Sequence, residues 1–364
     1  MRFVEIPLSG IIKFISSEEF LNGPVIPITP LRAISHSMNP RGNPDDIILI
    51  LAYNENDELI GYIGSLPDHI NLIAGQRVAW NSCWWVDPVQ GKETAMQLFY
   101  RFLDRWKKQV LFADLTPLTY NIISKTGFFQ TRIKTGTRGY LRMPLSEILP
   151  PKNQVFRSFK WFFSAFDFIF NIFWEIRLKI WKDRNKMDEK INWAFIWDLD
   201  PGIAGLMQKE STGDLIGRGE AELNWIRDYP WISHVKDKVY ASRYNFTYYA
   251  RRFEHHRIKI TENNQIKAFL IITIRNNHLK VPYLFYEKDS LSQVMNFLLH
   301  FMITSRIHYI SVFRKDLAEF LFKNPAPMIW KKRIPRYTAI SKDIFSILPE
   351  EYQSQDGDGD CVFT

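Results

Sequence analysis

The chain has 364 residues, of which 46% are apolar and 24% are charged. This composition is typical of a folded globular protein, and the length predicts two domains rather than one. The formal net charge of +8 favours an anionic partner, either a phosphate-bearing ligand or an anionic membrane surface. No Lys/Arg-rich run resembles a nucleic-acid-binding motif, so the charge predicts no nucleic-acid partner.

The cysteine content and the N-terminus predict a protein of a reducing compartment. Two cysteines, Cys83 and Cys361, are too few for a disulfide framework. Residues 1–5 include an early acid and begin no sustained apolar stretch, so they do not form a signal peptide. No uncharged run approaches the roughly 18 residues of a transmembrane span. We therefore expect a cytoplasmic protein.

The first half of the chain predicts a strand, a turn, two further strands, a helix and a strand. The strands are predicted from short apolar runs, and the helix from apolar residues repeated every three or four positions. These segments are residues 47–53, 54–57, 58–64, 78–86, 93–108 and 109–115.

The same order of elements recurs after residue 240. The segments are residues 257–260, 262–264, 265–274, 279–286, 290–304 and 309–313. The two hairpins align without a gap, with 56–63 matching 263–270. A repeat with so long a period favours domain duplication over a solenoid. Chance similarity of one hairpin is the alternative.

Residues 156–181 contain eleven aromatic residues and polar residues spaced three or four apart, which predicts one long helix with a narrow polar stripe. One interpretation is a linker helix buried between the domains. The other is a helix lying on an anionic membrane, at the inner face, with Trp161, Trp174 and Trp181 at headgroup depth. A membrane-spanning helix is disfavoured because its polar stripe would lie in hydrocarbon.

The predicted organisation follows from these elements. A first domain covers residues 1–150, the aromatic-rich helix 151–192, a second domain 193–349 and a solvated acidic tail 350–364. Within the tail, 356–360 resembles a calcium loop but lacks the bidentate Glu that such a loop needs. The pair His255-His256 has no third ligand spaced for zinc. The sequence therefore predicts no metal site.

The loop after the third strand carries the most specific motif. Val86, Pro88, Gln90 and Ala95 match the acyl-CoA-binding motif of the GNAT (acyl-CoA N-acyltransferase) superfamily, roughly Val-x-Pro and then Gln/Arg-x-x-Gly-x-Gly/Ala before a helix. The segment thus resembles that family, although Glu93 replaces the central glycine.

Further motifs extend the resemblance over residues 1–145. Residues 124–128 resemble the terminal Gly-Phe signature of the family, with Ile123 where a tyrosine general acid often lies. Residues 32–41 and 82–85 also resemble a group of uncharacterised bacterial GNAT-like proteins. Over residues 200–345 the resemblance rests on element order and the repeated hairpin alone.

The resemblance implies an α/β (α+β) fold of two GNAT-like mixed-sheet domains in tandem, joined by the long aromatic-rich helix. It implies acetyl-CoA or another acyl-CoA as a substrate, held by backbone N–H groups at the helix N-terminus. In the second domain the corresponding loop has no glycine, so we expect no working phosphate loop there. The alternative for the first domain is a degenerate loop in which Glu93 repels the pyrophosphate. The implied cofactor-binding residues are Trp84, Trp85, Val86, Gln90, Gly91, Lys92, Glu93, Thr94 and Ala95.

Acyl transfer to an amine needs a base, a polarised thioester carbonyl and an acid. The family holds the carbonyl with backbone N–H groups at a splayed strand end, which corresponds to 84–86 here. The candidate bases are Asp68 and His69, and the candidate acids are Cys83 and Tyr120. Each has a structural alternative, because Asp68 follows a proline in a predicted turn and Cys83 lies in an apolar run.

A loop over residues 35–41 lies where the family places its acceptor-binding loops. Its candidate acceptor ligands are Ser35, His36, Ser37, Asn39 and Arg41, which could grip an anionic acceptor. Ordinary turn chemistry is the alternative. The predicted function is acyl-CoA-dependent acyl transfer, with acetyl expected first, to an amine acceptor such as an amino sugar or a lipid-linked amine. The alternatives are a non-catalytic scaffold, or a cell-wall-type aminoacyl transferase that would bind tRNA.

Overall fold

The computed structural model describes residues 1–363. This part of the chain is a mixed α/β fold of twelve strands and fourteen α-helices. Backbone contacts divide it into two compact units, each made of non-contiguous segments. Unit 1 comprises Met1–Lys134, Met207–Phe253 and the chain from Arg336 onward, and unit 2 comprises Thr135–Leu206 and Glu254–Pro335.

The strands are β1 (Arg2–Pro7), β2 (Ile47–Tyr53), β3 (Leu59–His69), β4 (Arg77–Val86), β5 (Val110–Leu115), β6 (Phe129–Tyr140), β7 (Ile191–Ile196), β8 (Phe253–Glu262), β9 (Gln265–Arg275), β10 (His278–Tyr286), β11 (Tyr309–Val312) and β12 (Trp330–Ser341). The helices are α1 (Ile11–Ile15), α2 (Glu18–Asn22), α3 (Pro30–Ser37), α4 (Lys92–Arg105), α5 (Pro117–Lys125), α6 (Leu145–Ile148), α7 (Gln154–Ser158), α8 (Lys160–Arg184), α9 (Pro201–Glu210), α10 (Glu220–Asp228), α11 (Lys238–Arg243), α12 (Leu291–Thr304), α13 (Lys315–Lys323) and α14 (Lys342–Phe345).

Unit 1 is built on a sheet with the strand order β1-β2-β3-β4-β5-β12-β6, of which it contains the second half of β12 and the first half of β6. Strands β1 to β4 pair antiparallel, and β5 runs parallel to β4. Residues 48–53 of β2 are apolar and buried, as expected for a strand covered on both faces. One core contains residues of β2, β3, α4 and β5, and a second core on β2 includes residues of α1 and α3.

The pairing of β4 is interrupted in the middle of the strand. Its register against β3 shifts between Asn81 and Cys83, so Ser82 is the extra residue of a β-bulge. On its other side β4 pairs with β5 only at Ala79 and Trp80 within the described chain. The half of β4 beyond Trp80 therefore leaves β5, and the bulge lies at this point.

Unit 2 repeats the element order of unit 1. Its strand order is β12-β6-β11-β10-β9-β8-β7, with β10 and β9 antiparallel and β10 and β11 parallel. Asp57 and Asn264, which match each other in the hairpin alignment, lie in the two turns at φ angles of 57° and 64°. The register of β9 against β10 shifts after Ile271, the position that aligns with the shift after Gly64 in β3. The two units thus share hairpin geometry and a bulge, in agreement with the predicted repeat.

The compact units do not coincide with the contiguous segments 1–150 and 193–349. Strand β12 lies near the end of the chain, yet its second half pairs antiparallel with β5 of unit 1, including Ala339 opposite Phe112. Residues 207–253 also belong to unit 1. Long-range strand pairing, rather than chain order, decides which segments share a core.

The aromatic-rich segment forms α7 and α8, and both belong to unit 2. In α8 only Asp167 and Leu178 are buried. The side chains of Trp161, Phe168 and Phe173 are 71%, 68% and 70% exposed. These three side chains are therefore open to solvent, whereas Trp174 and Trp181 pack against the core of unit 2. Within residues 1–363, no helix is both long and apolar enough to cross a bilayer.

The prediction of a solvated acidic tail is wrong for residues 355–363. Asp356, Asp358 and Asp360 are buried or nearly so, and Phe363 is fully buried. This segment, which we name the C-terminal segment, packs inside unit 1. Cationic side chains around these acids offset part of the free-energy cost of burying their carboxylates.

Candidate active site

The loop between β4 and α4 has the layout of a helix N-terminal anion site. Gly91 is the N-cap of α4, and no side chain caps the first turn. A Cβ atom at Gly91 would lie 2.7 Å from the backbone N and O of Asp87 and 2.8 Å from the O of Ile60. Only glycine fits this close backbone approach. The first turn of α4 thus offers its backbone N–H groups and the positive end of the helix dipole.

Two side chains of the loop affect its charge. The Oδ1 of Asp87 accepts from the backbone N–H groups of Val89 and Gln90, at 2.9 and 2.8 Å. These two amides are therefore engaged within the loop, whereas the first turn of α4 has no side-chain cap. Glu93, which replaces the family glycine, is exposed. The side chain of Lys92 lies outside the described part of the chain.

The other predicted cofactor-binding residues lie around this loop. Trp84 stacks on Phe99 of α4 at a centroid distance of 5.5 Å, and Trp85 contacts Tyr62. Thr94 is buried and Ala95 is partly buried on α4, while the side chain of Gln90 accepts from Asn54 at 2.9 Å. These contacts fix the strand end and the helix start, so the loop is held rigidly.

The C-terminal segment lies where β4 and β5 part. Gly359 has a φ of 70°, a left-handed conformation that glycine adopts without strain. A Cβ atom at this position would lie 3.1 Å from the Trp80 ring and 3.2 Å from the Cβ of Ala113. Trp80 belongs to β4 and Ala113 to β5, so the segment lines the open side of the splayed pair.

Arg32 connects the bulge of β4 to the C-terminal segment. Its guanidinium donates to the backbone oxygen and hydroxyl of Ser82, to Asp360 at 3.0 Å and to the Tyr244 hydroxyl at 3.2 Å. Arg32 is only 4% exposed. The ion pair with Asp360 and these hydrogen bonds compensate the burial of the charge, and they fix the bulge and the segment relative to each other.

Asp358 is a buried acid of this segment whose pKa is strongly raised. Its Oδ2 accepts from the backbone N of Gln355 at 3.0 Å, while its Oδ1 is buried without a hydrogen-bond partner. Burial raises the pKa of Asp358 to about 8, with Arg218 lowering it and Asp214 raising it further. A carboxylate with such a pKa can exchange a proton near neutral pH.

Asp68, a predicted base, is the centre of an ion-pair cluster. It lies on β3, not in a turn, and it accepts from Arg41 at 2.6 Å, from Arg218 at 2.7 Å and from the indole of Trp80 at 3.0 Å. Burial alone would raise the pKa of Asp68, but the guanidinium groups of Arg218 and Arg41 outweigh burial and lower it. A saturated carboxylate of low pKa is a weak base, so the geometry disfavours this role.

The three other predicted catalytic residues are His69, Cys83 and Tyr120. Burial, followed by the charges of Arg41 and Arg77, lowers the pKa of His69. Burial raises the pKa of Cys83 to about 11, so its thiol stays protonated. Tyr120 is partly buried on α5, and its ring packs on Tyr337 at 5.0 Å.

The predicted acceptor-binding loop is mostly helix and mostly buried. Ser35, His36 and Ser37 end α3, and Asn39 donates to the backbone O of Pro67 at 2.9 Å. Arg41 is bound to Asp68 and to Glu222, at 2.6 and 2.8 Å. Ser35 and His36 thus lie in a helix rather than in the predicted loop, and Ser35, His36 and Asn39 have at most 6% exposure. Thr29 caps α3 and Pro30 begins it, which is a helix-start signal in the sequence.

The residues of the C-terminal segment and Arg218 are not among the site residues that the sequence predicts. The alternation of Asp and Gly over 356–360 was the available signal, because glycine between acids permits tight turns that bring carboxylates together. Nothing in the local sequence indicates that this segment returns to a strand pair in the first third of the chain.

Strand β4 is bulged, leaves its parallel neighbour β5 and is followed by a glycine loop and helix α4. The chain matches over 94% of its length a conserved protein of unknown function from Enterococcus faecalis V583, described as a probable N-acyltransferase. The match covers 72% of that protein with a TM-score of 0.51 and 10% identity.

Other solved structures are similar at lower TM-scores. A GCN5-related N-acetyltransferase from Kribbella flavida matches 94% of this chain and 72% of its own, with a TM-score of 0.48 and 10% identity. A tandem GNAT protein from the clavulanic acid biosynthesis pathway matches 93% of this chain and 98% of its own, with a TM-score of 0.47 and 10% identity. No protein-family model and no curated protein sequence matches the chain. At this identity the likeness to the Enterococcus faecalis protein shows a shared fold.

Proposed function

We propose that the protein is an acyl-CoA-dependent N-acyltransferase whose site lies in unit 1. One observation carries the proposal: β4 carries a bulge and parts from β5 immediately before a glycine-capped helix whose first turn has no side-chain cap. This arrangement combines an open strand edge for a thioester with a helix N-terminus for a pyrophosphate.

Acyl-CoA would bind across these two features. The pyrophosphate would accept hydrogen bonds from the backbone N–H groups of the first turn of α4, which need no particular side chain. The exposed carboxylate of Glu93 does not have to face that anion. The thioester would lie along the free half of β4, near the bulge at Ser82. Acetyl is the acyl group proposed first.

Asp358 is the base that this geometry favours for the amine. Its neighbour Gly359 lies beside both strands where they part, and Oδ1 of the buried Asp358 carboxylate has no hydrogen-bond partner. The amine nitrogen gives its proton to Asp358 and attacks the thioester carbon. The C–N bond forms and the C–S bond breaks, and the coenzyme A thiolate leaves and takes up a proton from solvent.

Calorimetric titration with acetyl-CoA and longer acyl-CoAs tests the donor site. The matched variants are Val89→Asp and Val89→Asn, because Val89 is 83% exposed in the loop. We expect Val89→Asp to weaken binding about tenfold through a like charge near the pyrophosphate, and Val89→Asn to bind as wild type does. A wild type that shows no heat with millimolar acyl-CoA contradicts the proposal.

Asp358→Asn tests the base. We expect acyl-CoA affinity to be retained and kcat to fall by about 10²–10⁴-fold. In the wild type, kcat should rise with pH up to a pKa of about 8, because the base must be deprotonated. Full activity of Asp358→Asn with any amine acceptor would show that another group takes the proton. The acceptor class is best identified by screening amino sugars and lipid-linked amines.

The second candidate function is a non-catalytic binding protein. The observation in its favour is that the C-terminal segment is buried beside the splayed strands, where a Cβ added at Gly359 would meet Trp80 and Ala113. In this case the segment would fill the place of a ligand. Acyl-CoA binding without turnover over a broad set of amines would favour the scaffold, and retained binding of a charged tRNA would favour the aminoacyl transferase.

A further inference from the structure

Over residues 167–175, helix α8 faces the rest of unit 2 with polar side chains, the reverse of an ordinary surface helix. The carboxylate of Asp167 accepts from the backbone N–H groups of Leu145 and Ser146, at 3.0 and 2.8 Å. Asn171 exchanges two hydrogen bonds with the backbone of Met143, at 2.8 and 3.0 Å. One turn further, Glu175 pairs with buried Arg142. The polar stripe is thus used for internal hydrogen bonds.

The opposite side of α8 is an apolar face exposed to solvent. Its residues recur every three or four positions, as one helix face requires, and each is between 44% and 70% exposed. They are Phe162, Phe166, Ile169, Phe173, Ile176 and Ile180. Beside them Trp161, Phe168 and Ile172 are also at least half exposed. Large apolar surfaces of this kind mark interaction sites.

Strand β7, like α8, contacts α12 and has exposed aromatic side chains. Trp193 and Phe195 are 42% and 51% exposed, and they contact Phe297 and Phe301 of α12. Trp181 of α8 contacts His300 of the same helix. Helix α12 is therefore flanked by α8 and by β7, and aromatic side chains of both reach solvent.

The charges around the apolar face are mainly positive. Between residues 152 and 192 the chain has nine Lys/Arg and five Asp/Glu. Two of these acids, Asp167 and Glu175, are engaged with protein groups. The cations Lys160, Arg177 and Lys179 are exposed on α8 itself. The solvent-facing side is consequently more cationic than the composition of the segment suggests.

We propose that the outward face of α8 binds in the interfacial plane of an anionic phospholipid bilayer. An amphipathic helix with aromatic residues on one side and Lys/Arg at the border binds membranes in this orientation. At 25 residues and 1.5 Å per residue the helix would lie over about 37 Å of membrane surface. The inward hydrogen bonds remain intact in this state, so binding requires no rearrangement of α8.

A second copy of the chain fits this face less well. A two-helix seam is narrow and prefers aliphatic residues, with charges on both borders. Here the apolar face is widened by Trp161, Phe168 and Ile172. Phe162, Phe166 and Phe173 of the face itself are aromatic. Anionic headgroups match the border cations, whereas a second copy would bring the same positive charges together.

Vesicle co-sedimentation of the full chain tests the proposal. We expect binding to vesicles of phosphatidylcholine with phosphatidylglycerol, and at least tenfold weaker partitioning to phosphatidylcholine alone. The double variant Ile169→Glu/Phe173→Glu should reduce partitioning to the anionic vesicles by at least tenfold. The matched control is Leu118→Glu/Ile122→Glu in α5, where both side chains are also exposed, and it should bind as wild type does.

Charge variants separate the electrostatic part of membrane binding from the apolar part. Lys179→Gln should weaken binding about fivefold, and added salt should weaken it further. Circular dichroism and the acyl-CoA titration verify that each variant is folded. Wild type that does not bind anionic vesicles, or a double variant that binds equally well, overturns the proposal. So does a stable dimer in light scattering that Ile169→Glu/Phe173→Glu dissociates while vesicle binding is unchanged.

Discussion

At the residue scale, Asp358 is the residue of the C-terminal segment whose ionisation depends on charged neighbours in unit 1. It lies in a group of buried carboxylates that includes Asp214 and Asp68, which Arg218 partly neutralises. Burial keeps the carboxyl protonated to a higher pH than in an unfolded chain. The same property that suits a general base therefore makes stability depend on pH.

We predict that this dependence is removed in Asp358→Asn. The folded protein keeps the proton up to a pKa of about 8, whereas the unfolded chain loses it near pH 4. The folded state thus binds more protons between these values, and the free energy of unfolding falls as pH rises through this window. Urea unfolding at pH 6 and pH 8 should show wild type losing about 2 kcal/mol relative to the variant. Asp343→Asn, at an exposed acid, is the control, and parallel curves for wild type and Asp358→Asn would contradict the prediction.

Gly91 permits a second prediction at this scale. An added Cβ would meet backbone atoms of Asp87 and Ile60, which cannot rotate away. We expect Gly91→Ala to cost about 1–3 kcal/mol of stability and to weaken acyl-CoA binding by displacing the start of α4. Gly205→Ala is the control, since no atom lies within 4 Å of its Cβ position. Thermal unfolding with and without acyl-CoA measures both effects, and unchanged stability of Gly91→Ala would show that the loop is loosely packed.

At the scale of elements, helix α8 is held to unit 2 by polar groups as well as by Trp174, Leu178 and Trp181, which pack on the core of the unit. Its buried side chains are an acid and a leucine, and Asp167 accepts from both N–H groups that begin α6. Hydrogen bonds from backbone N–H groups to a carboxylate are among the stronger ones in proteins. The orientation of α8 therefore depends in part on the hydrogen bonds of Asp167.

We predict that Asp167→Ala destabilises the protein by about 1–2 kcal/mol, because two backbone N–H groups lose their acceptor. Asp183→Ala, at an exposed acid of the same helix, should change stability by less than about 0.5 kcal/mol. Chemical unfolding of both variants measures the difference. Equal stabilities would mean that water replaces the lost acceptor without cost.

At the scale of the whole molecule, the C-terminal segment belongs to the core of unit 1. Phe363 is fully buried, and its ring stacks on Trp231 at a centroid distance of 4.0 Å and meets Trp225 edge-on at 5.1 Å. Arg32 and Asp360, which come from opposite ends of the sequence, form an ion pair at 3.0 Å. The two ends of the chain thus complete one unit.

We predict that Phe363→Ala costs about 3–5 kcal/mol of stability through loss of buried aromatic contacts. Phe322→Ala, at a partly exposed phenylalanine of α13, should cost clearly less. Hydrogen exchange should find the amides of residues 355–363 protected in the wild type and faster in Phe363→Ala. Rapid exchange of this segment in the wild type would show that it leaves the core readily.

The sequence by itself determined the hairpins, their repetition in the second half of the chain, the loop before α4 and the existence of a long aromatic-rich helix. These features depend on local periodicity and turn residues, such as Asp57 and Asn264 at left-handed φ angles. Only the tertiary structure decided that β12 pairs with β5, that the polar side of α8 faces inward, and that the acids of the C-terminal segment are buried. The base that we propose is accordingly Asp358, whereas the sequence offered Asp68 and His69. The physical reason is that strand partners and buried counter-charges come from segments distant in sequence, and local patterns carry no information about which distant groups will compensate a charge.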